Sequence, residues 1–267
     1  MQKVSSHVYV ENSFRGCNTS FVTTSQGVVM IDTPLVPVDA KQWRNVIAEY
    51  GEIRYVINSE PHPDHVSGDC WFEGILVACE GARQAIQNIT IKELLNLLGQ
   101  MAPESLPLDS EFRYRLPDIT FSQKLILFLG DHTFQLFRLP GHTPNQLAVY
   151  VPEEKVVFTS DNVNLEMPVF SSDSMPYAWL DSLKKLHQMD VEKVVPGHGA
   201  VCEKNSIQEM YNLLQAWIES VKSAISKGWS VEETLNRVKI YPEQELNSTM
   251  KGLKNRSITK LYEILKV

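Results

Sequence analysis

Short apolar runs separated by turn residues fill the first sixty positions. Residues 8–10, 20–23 and 28–31 read as strands. The last is a continuous apolar run closed by Asp32, with Gly27 in the turn before it, the pattern of a buried strand. The period then lengthens. Trp43, Val46, Ile47 and Tyr50 recur at helical spacing, which predicts a helix capped by Asp39 and stopped by Gly51. Residues 53–58 are strand-like again, and the polar segment Ser-Glu-Pro-His-Pro-Asp-His follows at once.

Further along, residues 81–98 predict one helix packed through Ile86, Ile89, Leu94 and Leu97 and ended by Gly99. Residues 100–118 hold three prolines and little periodicity, so a long surface loop or lid is expected there. Strands are predicted at 125–129 and 133–139 around a Gly-Asp turn, and at 147–151 and 156–159 across Pro-Glu-Glu-Lys. A helix over 177–188 and a strand over 191–195 lead into Pro-Gly-His-Gly. Beyond Ala200 the pattern is helical. Tyr211, Leu214, Trp217, Ile218 and Val221 share one face of a helix over 207–225. Ser230 and Glu233 form a capping box for 231–238, and a last helix is expected over 257–265. Sheets with outer helices, an α/β or α+β sandwich, is the architecture these elements predict.

Composition adds limits. With 43% hydrophobic and 21% charged residues, the 267-residue chain is globular. A net charge of -7, from 32 acidic and 25 basic side chains, argues against a nucleic-acid surface. Cys17, Cys70, Cys79 and Cys202 have neither disulfide-scaffold nor zinc-knuckle spacing. They read as reduced packing thiols of a cytoplasmic protein. No export signal is evident at the start of the chain and no run reaches the roughly 20 apolar residues of a membrane span. Neither a membrane nor a nucleic acid is therefore an expected partner.

The candidate chemistry lies in the loops after strands. Glu60, His62, Asp64 and His65 fall within six residues, held by two prolines. Polar islands recur at 141–143, 159–162 and 196–199. His62, His65, His142 and His198, four of the seven histidines, all sit in such loops. Convergent imidazole and carboxylate groups are what a metal site requires.

With these motifs in this order, the chain resembles the metallo-β-lactamase superfamily over about residues 4 to 200. That family carries a His-x-His-x-Asp-His loop, here Glu60, His62, Asp64 and His65. A later histidine matches His142, a bridging aspartate Asp161 and a final histidine His198. Asp32 matches a usual structural aspartate. The resemblance implies an α+β fold, a four-layer αββα sandwich, as a catalytic domain over 1–200 with a helical extension over 201–267 packed on it. It implies two divalent transition metals, zinc above all, with Mn or Fe as alternatives. One would be held by His62, His142 and Glu60, the other by Asp64, His65 and His198, with Asp161 bridging. Asp64 and Asp161 would carry catalysis around a metal-bound hydroxide.

Glu60 stands where the family usually has histidine. A carboxylate still ligates, and its charge shifts preference toward harder ions. The function so implied is a metal-dependent hydrolase of a small, partly apolar ester, lactone, amide or thioester. A phosphodiesterase, a β-lactamase, a mononuclear iron persulfide dioxygenase-like oxidoreductase and a metal-binding protein with a degenerate site are the alternatives. Thr143, Asn145 and Asn164 are candidate substrate-binding polar groups. Met167 and Phe170, together with Leu165, Val169 and Met175, are candidate apolar walls, with core covering as the plainer use. The C-terminal helices are expected to cap the site or to support a homodimer. His7 and His132 read as surface residues.

Overall fold

A computed structural model of the protein describes residues 1–164, 167–240 and 247–266. The chain divides into two compact units. Residues 1–139, 145–160 and 190–203 form the first; residues 140–144, 161–189 and those from 204 onward form the second.

The first unit contains both sheets. Along the chain, β1 (Gln2–Lys3), β2 (Val8–Glu11), β3 (Thr19–Thr24), β4 (Gly27–Ile31), β5 (Ile53–Ile57), β6 (Ile75–Cys79) and β7 (Ile119–Phe121) build a seven-stranded sheet in sequence order. Its first three pairings are antiparallel and its last three parallel. The parallel half needs crossovers, supplied by α1 (Pro37–Ala48), α2 (Pro63–Val66), α3 (Glu80–Asn88) and α4 (Ile91–Met101). The second sheet holds β8 (Lys124–Leu129), β9 (His132–Arg138), β10 (Leu147–Val151), β11 (Val156–Ser160), β12 (Lys193–Pro196) and β13 (Cys202–Glu203), in the order β13-β12-β11-β10-β9-β8. Among the described residues, β11 and β12 pair in parallel there and the other pairings are antiparallel. Two mixed sheets with flanking helices are the αββα sandwich that the sequence led us to expect.

Alternation explains the core. Val22, Val29, Ile57 and Val77 point inward and meet Phe134, Leu136, Val149 and Phe158 of the other sheet. Their neighbours Phe21, Met30, Val56 and Leu76 face outward, onto Trp43 and Ile47 of α1. Both faces are buried, so these strands read as continuous apolar runs rather than as alternating ones.

Several boundaries differ from expectation. Helix α1 begins at Pro37, whose fixed φ suits the first helical position, and Val36 is its N-cap. Asp39 lies in the first turn and faces Arg15 at 3.5 Å instead of capping. The single helix expected over 81–98 is two, because Thr90 and Glu93 form a reciprocal capping box that starts α4. Strands β1, β6, β7 and β13 were not anticipated. The stretch 100–118 is less a lid than a cover: Leu108, Phe112 and Tyr114 pack on a cluster of Leu35, Val36, Leu94, Leu98 and Ala102.

The second unit is helical: α5 (Pro176–Gln188), α6 (Asn205–Ser226), α7 (Val231–Arg237) and α8 (Ser248–Lys266). Helix α6 packs on α5 and α8, and α8 on α7. Trp179, Leu183, Leu214, Trp217, Ile218, Ile258 and Leu261 are buried. Helix α8 starts nine residues before the position expected for it, while the capping box at Ser230 is present. Among the described residues, no helix is long and apolar enough to cross a membrane.

Candidate metal centre

In the first unit the loop after β5 is held from below by carboxylates. Asp32 Oδ1 accepts from the Ser59 amide at 2.7 Å, and its Oδ2 lies 2.5 Å from the Ser59 hydroxyl. The same Oδ2 accepts from His65 Nδ1 at 3.0 Å. Asp69 accepts from Asn58 Nδ2 and Thr33 Oγ1, both at 3.0 Å. Asp32 and Ser160 adopt positive φ, 55° and 49°, which non-glycine residues rarely do. Two such residues beside one loop mark backbone strain retained at a functional site.

These contacts set the tautomers. Because His65 gives its Nδ1 proton to Asp32, its Nε2 carries the lone pair. His198 Nδ1 likewise donates to the Gly16 carbonyl at 3.1 Å. Asn18 pins the His198 loop, donating through Nδ2 to the Pro196 and Gly199 carbonyls at 2.9 Å. Donor atoms of Asp64, His65 and His198 all lie within 4.8 Å of one another. His198 Nε2 is 3.4 Å from Asp64 Oδ2. Glu60 is fully buried. Its Oε1 accepts from Ser160 Oγ at 2.9 Å, and its Oε2 lies 2.7 Å from His62 Nδ1.

The second unit places His142 and Asp161 together, with His142 Nε2 3.7 Å from Asp161 Oδ2. His142 Nδ1 donates to the Val169 carbonyl at 2.7 Å, and its amide donates to Asn162 Oδ1 at 3.2 Å. Trp179 sits edge-on to the imidazole and donates Nε1 to the Asn162 carbonyl at 2.9 Å. Gly141 permits this crowding: a Cβ there would stand 2.2 Å from Asn162 Oδ1 and 2.8 Å from Trp179.

In each unit the donor groups are of the kind a first-row divalent ion takes. These groups are imidazole nitrogens and carboxylate oxygens; His65 and His198 in the first unit and His142 in the second each present Nε2 because Nδ1 is bonded elsewhere. The Cys17 sulfur also lies within 4.8 Å of donor atoms of Asp32 and His65. Burial pushes its thiol up to about 12, so it stays protonated.

Of the substrate candidates, Thr143 and Met167 are buried outright, and Phe170 is buried against Trp179 and Trp217. Asn145 and Asn164 are half-buried, and Leu165 lies outside the described residues. Val169 and Phe170 also line a cleft of about 530 Å³ with Leu253, Arg256 and Lys260. Sequence reasoning missed Gly16, Asn18, Ser59, Ser160 and Trp179. Ser59 and Ser160 did carry a signal, as polar residues directly behind apolar strands.

A sandwich of this kind, carrying histidine and carboxylate donors at its strand ends, defines a metal-binding class of αββα proteins. The chain belongs to the metallo-beta-lactamase superfamily, whose family model matches residues 12–198. A beta-lactamase-like protein 2 homolog of Caenorhabditis elegans is 24% identical over 72% of this chain and 59% of its own. A linear primary-alkylsulfatase of a Pseudomonas species is 20% identical over 83% of this chain and 49% of its own. The chain thus spans about half the length of these curated relatives. Among solved structures, a metallo-beta-lactamase from Pontibacter korlensis superposes with a TM-score of 0.62 at 19% identity, covering 80% of this chain and 97% of that one. An inverting sec-alkylsulfatase from a Pseudomonas species gives 0.79 at 14% identity, covering 98% of this chain and 49% of that one.

Proposed function

We propose that this chain hydrolyses a small, partly apolar ester, with Glu60, His62 and His142 serving one ion, Asp64, His65 and His198 a second, and Asp161 both. The observation that carries the reading is the common use of Nδ1 by His65, His142 and His198, which leaves three Nε2 lone pairs for metal. Divalent ions held there would acidify a water molecule and take up charge developing on the ester oxygen. Asp64, half-buried with His198 at 3.4 Å, would hold the nucleophile's proton and pass it to the leaving group. The carboxylate of Glu60 in place of an imidazole favours Mn or Fe beside Zn. In this reading residues 1–200 carry the chemistry.

A narrower substrate class, an alkyl ester with an anionic head such as a sulfate ester, is favoured by the cleft lined by Val169, Phe170 and Leu253. Arg256 and Lys260 stand on its wall to meet the anion. The likeness to alkylsulfatases, which extends over the C-terminal helices, supports the same class.

The test is a panel of alkyl sulfates, p-nitrophenyl esters, lactones, thioesters and a phosphodiester, assayed after loading with Zn, Mn or Fe. Failure to take up any of these metals overturns the hydrolase reading. For the narrower class, Arg256→Ala is expected to raise KM for an octyl sulfate about tenfold at nearly constant kcat. An unchanged KM, or no preference for octyl over methyl sulfate, refutes it.

A further inference from the structure

Outside the catalytic loops, the fold gathers two histidines and a glutamate that are far apart in sequence. His7 directly precedes β2, His132 opens β9, and Glu154 lies in the turn before β11. Glu154 Oε1 stands 2.6 Å from His7 Nδ1 and 3.2 Å from His132 Nε2. All three donor atoms lie within 4.8 Å of one another, and the two rings meet edge to face at 4.8 Å.

We propose that His7, His132 and Glu154 form a second, independent site for a borderline divalent metal such as Zn(II), joining the two sheets at the rim away from the catalytic loops. Four features support it. Tetrahedral zinc with bonds of about 2.0–2.1 Å sets neighbouring donors about 3.3 Å apart, and the separations of Glu154 Oε1 from the two ring nitrogens, 2.6 and 3.2 Å, lie within about 1 Å of that. The Asp131 carboxylate accepts from His132 Nδ1 at 3.0 Å and from the Ser25 amide at 2.9 Å. That carboxylate–histidine arrangement directs the Nε2 lone pair at the proposed ion. Glu154 offers one carboxylate oxygen, Oε1, to both imidazoles at once, so all three donors face a common point. The His7 side chain is 42% exposed, giving the ion a route and a water a fourth position, while His132 is buried.

The site is separable from hydrolysis. Glu154 lies before β11 and Ser160 at its far end, so the five residues of the strand, roughly 17 Å at the usual rise, stand between the two rims. The inference does not rest on the proposed substrate.

The test counts zinc on the 267-residue chain after metal stripping, reloading with Zn(II) and gel filtration. Wild type is expected to hold one equivalent more than His7→Gln or Glu154→Gln, whatever the filling of the catalytic centre. Hydrolysis by these variants is expected to match wild type. Asp131→Asn is expected to keep the fold, checked by circular dichroism, and to weaken the extra equivalent about 10–100-fold against a chromophoric chelator. Equal zinc counts in wild type and His7→Gln overturn the proposal, as does an Asp131→Asn affinity equal to wild type.

Discussion

Asp69 is wholly buried and supports the candidate centre through Thr33 and Asn58, without touching a donor ring itself. Burial raises its carboxyl to about 8, against the opposing effect of those two hydrogen bonds, and the nearby charge of Asp32 adds to the rise. The folded protein therefore keeps a proton that the unfolded chain, titrating near the ordinary value of 3.8, gives up. Stability from this group is complete below about pH 4 and is lost as pH rises toward 8, at about 1.4 kcal/mol per unit. Between pH 5 and 7 the loss amounts to about 3 kcal/mol. Asp69→Asn keeps the shape and one acceptor oxygen for Asn58 and Thr33, and abolishes the titration. Urea denaturation of both proteins at pH 5, 6 and 7, with chelator present throughout, measures the difference. The variant's advantage over wild type should widen by about 3 kcal/mol across that range. A gap that stays constant with pH refutes the reasoning.

Three further outcomes are expected. Asp32→Asn sets an amide NH2 against either the Ser59 amide or His65 Nδ1, so zinc affinity should fall about 10–100-fold in chelator competition. Unchanged affinity contradicts the tautomer assigned to His65. Glu60→His removes the acceptor of the Ser160 hydroxyl and should lower hydrolysis while metal content is retained; a gain of activity with a gain of metal identifies Glu60 as a defect. Gly81→Ala places a Cβ 2.0 Å from Asn145 Oδ1 and should cost about 1–3 kcal/mol, read as a lowered Tm. An unaltered Tm refutes the close packing of that loop.

Strand β4 was legible because its residues are apolar on both faces and Asp32 closes it. The strand β6, equally apolar, was hidden in a stretch that also opens a helix. Short apolar runs do not distinguish strand from helix until a neighbour pairs with them. Thr90 and Glu93 carried a capping signal, but it lay inside a continuous helical period and was overrun by it. At the candidate centre, the loop residues Glu60, Asp64 and His65 and the partner His198 were readable as residue types behind strands. Asn18 was not, since its role is to hold the Pro196 and Gly199 carbonyls, about 180 residues away.

The sequence by itself determined the class of chemistry. Imidazoles and carboxylates behind buried strands, without cysteine-ligand spacing, select a nitrogen–oxygen metal site, and hydrophobic periodicity selects sheets with outer helices. Only the tertiary structure decided which histidine nitrogen is available and which charges are buried. Those properties depend on acceptors such as the Gly16 and Val169 carbonyls, which every residue has and no sequence pattern marks. The same holds for His7, His132 and Glu154. Each reads in the sequence as an ordinary polar residue of a strand end or turn, and only the packing of one sheet on the other makes His7 a neighbour of His132 and Glu154.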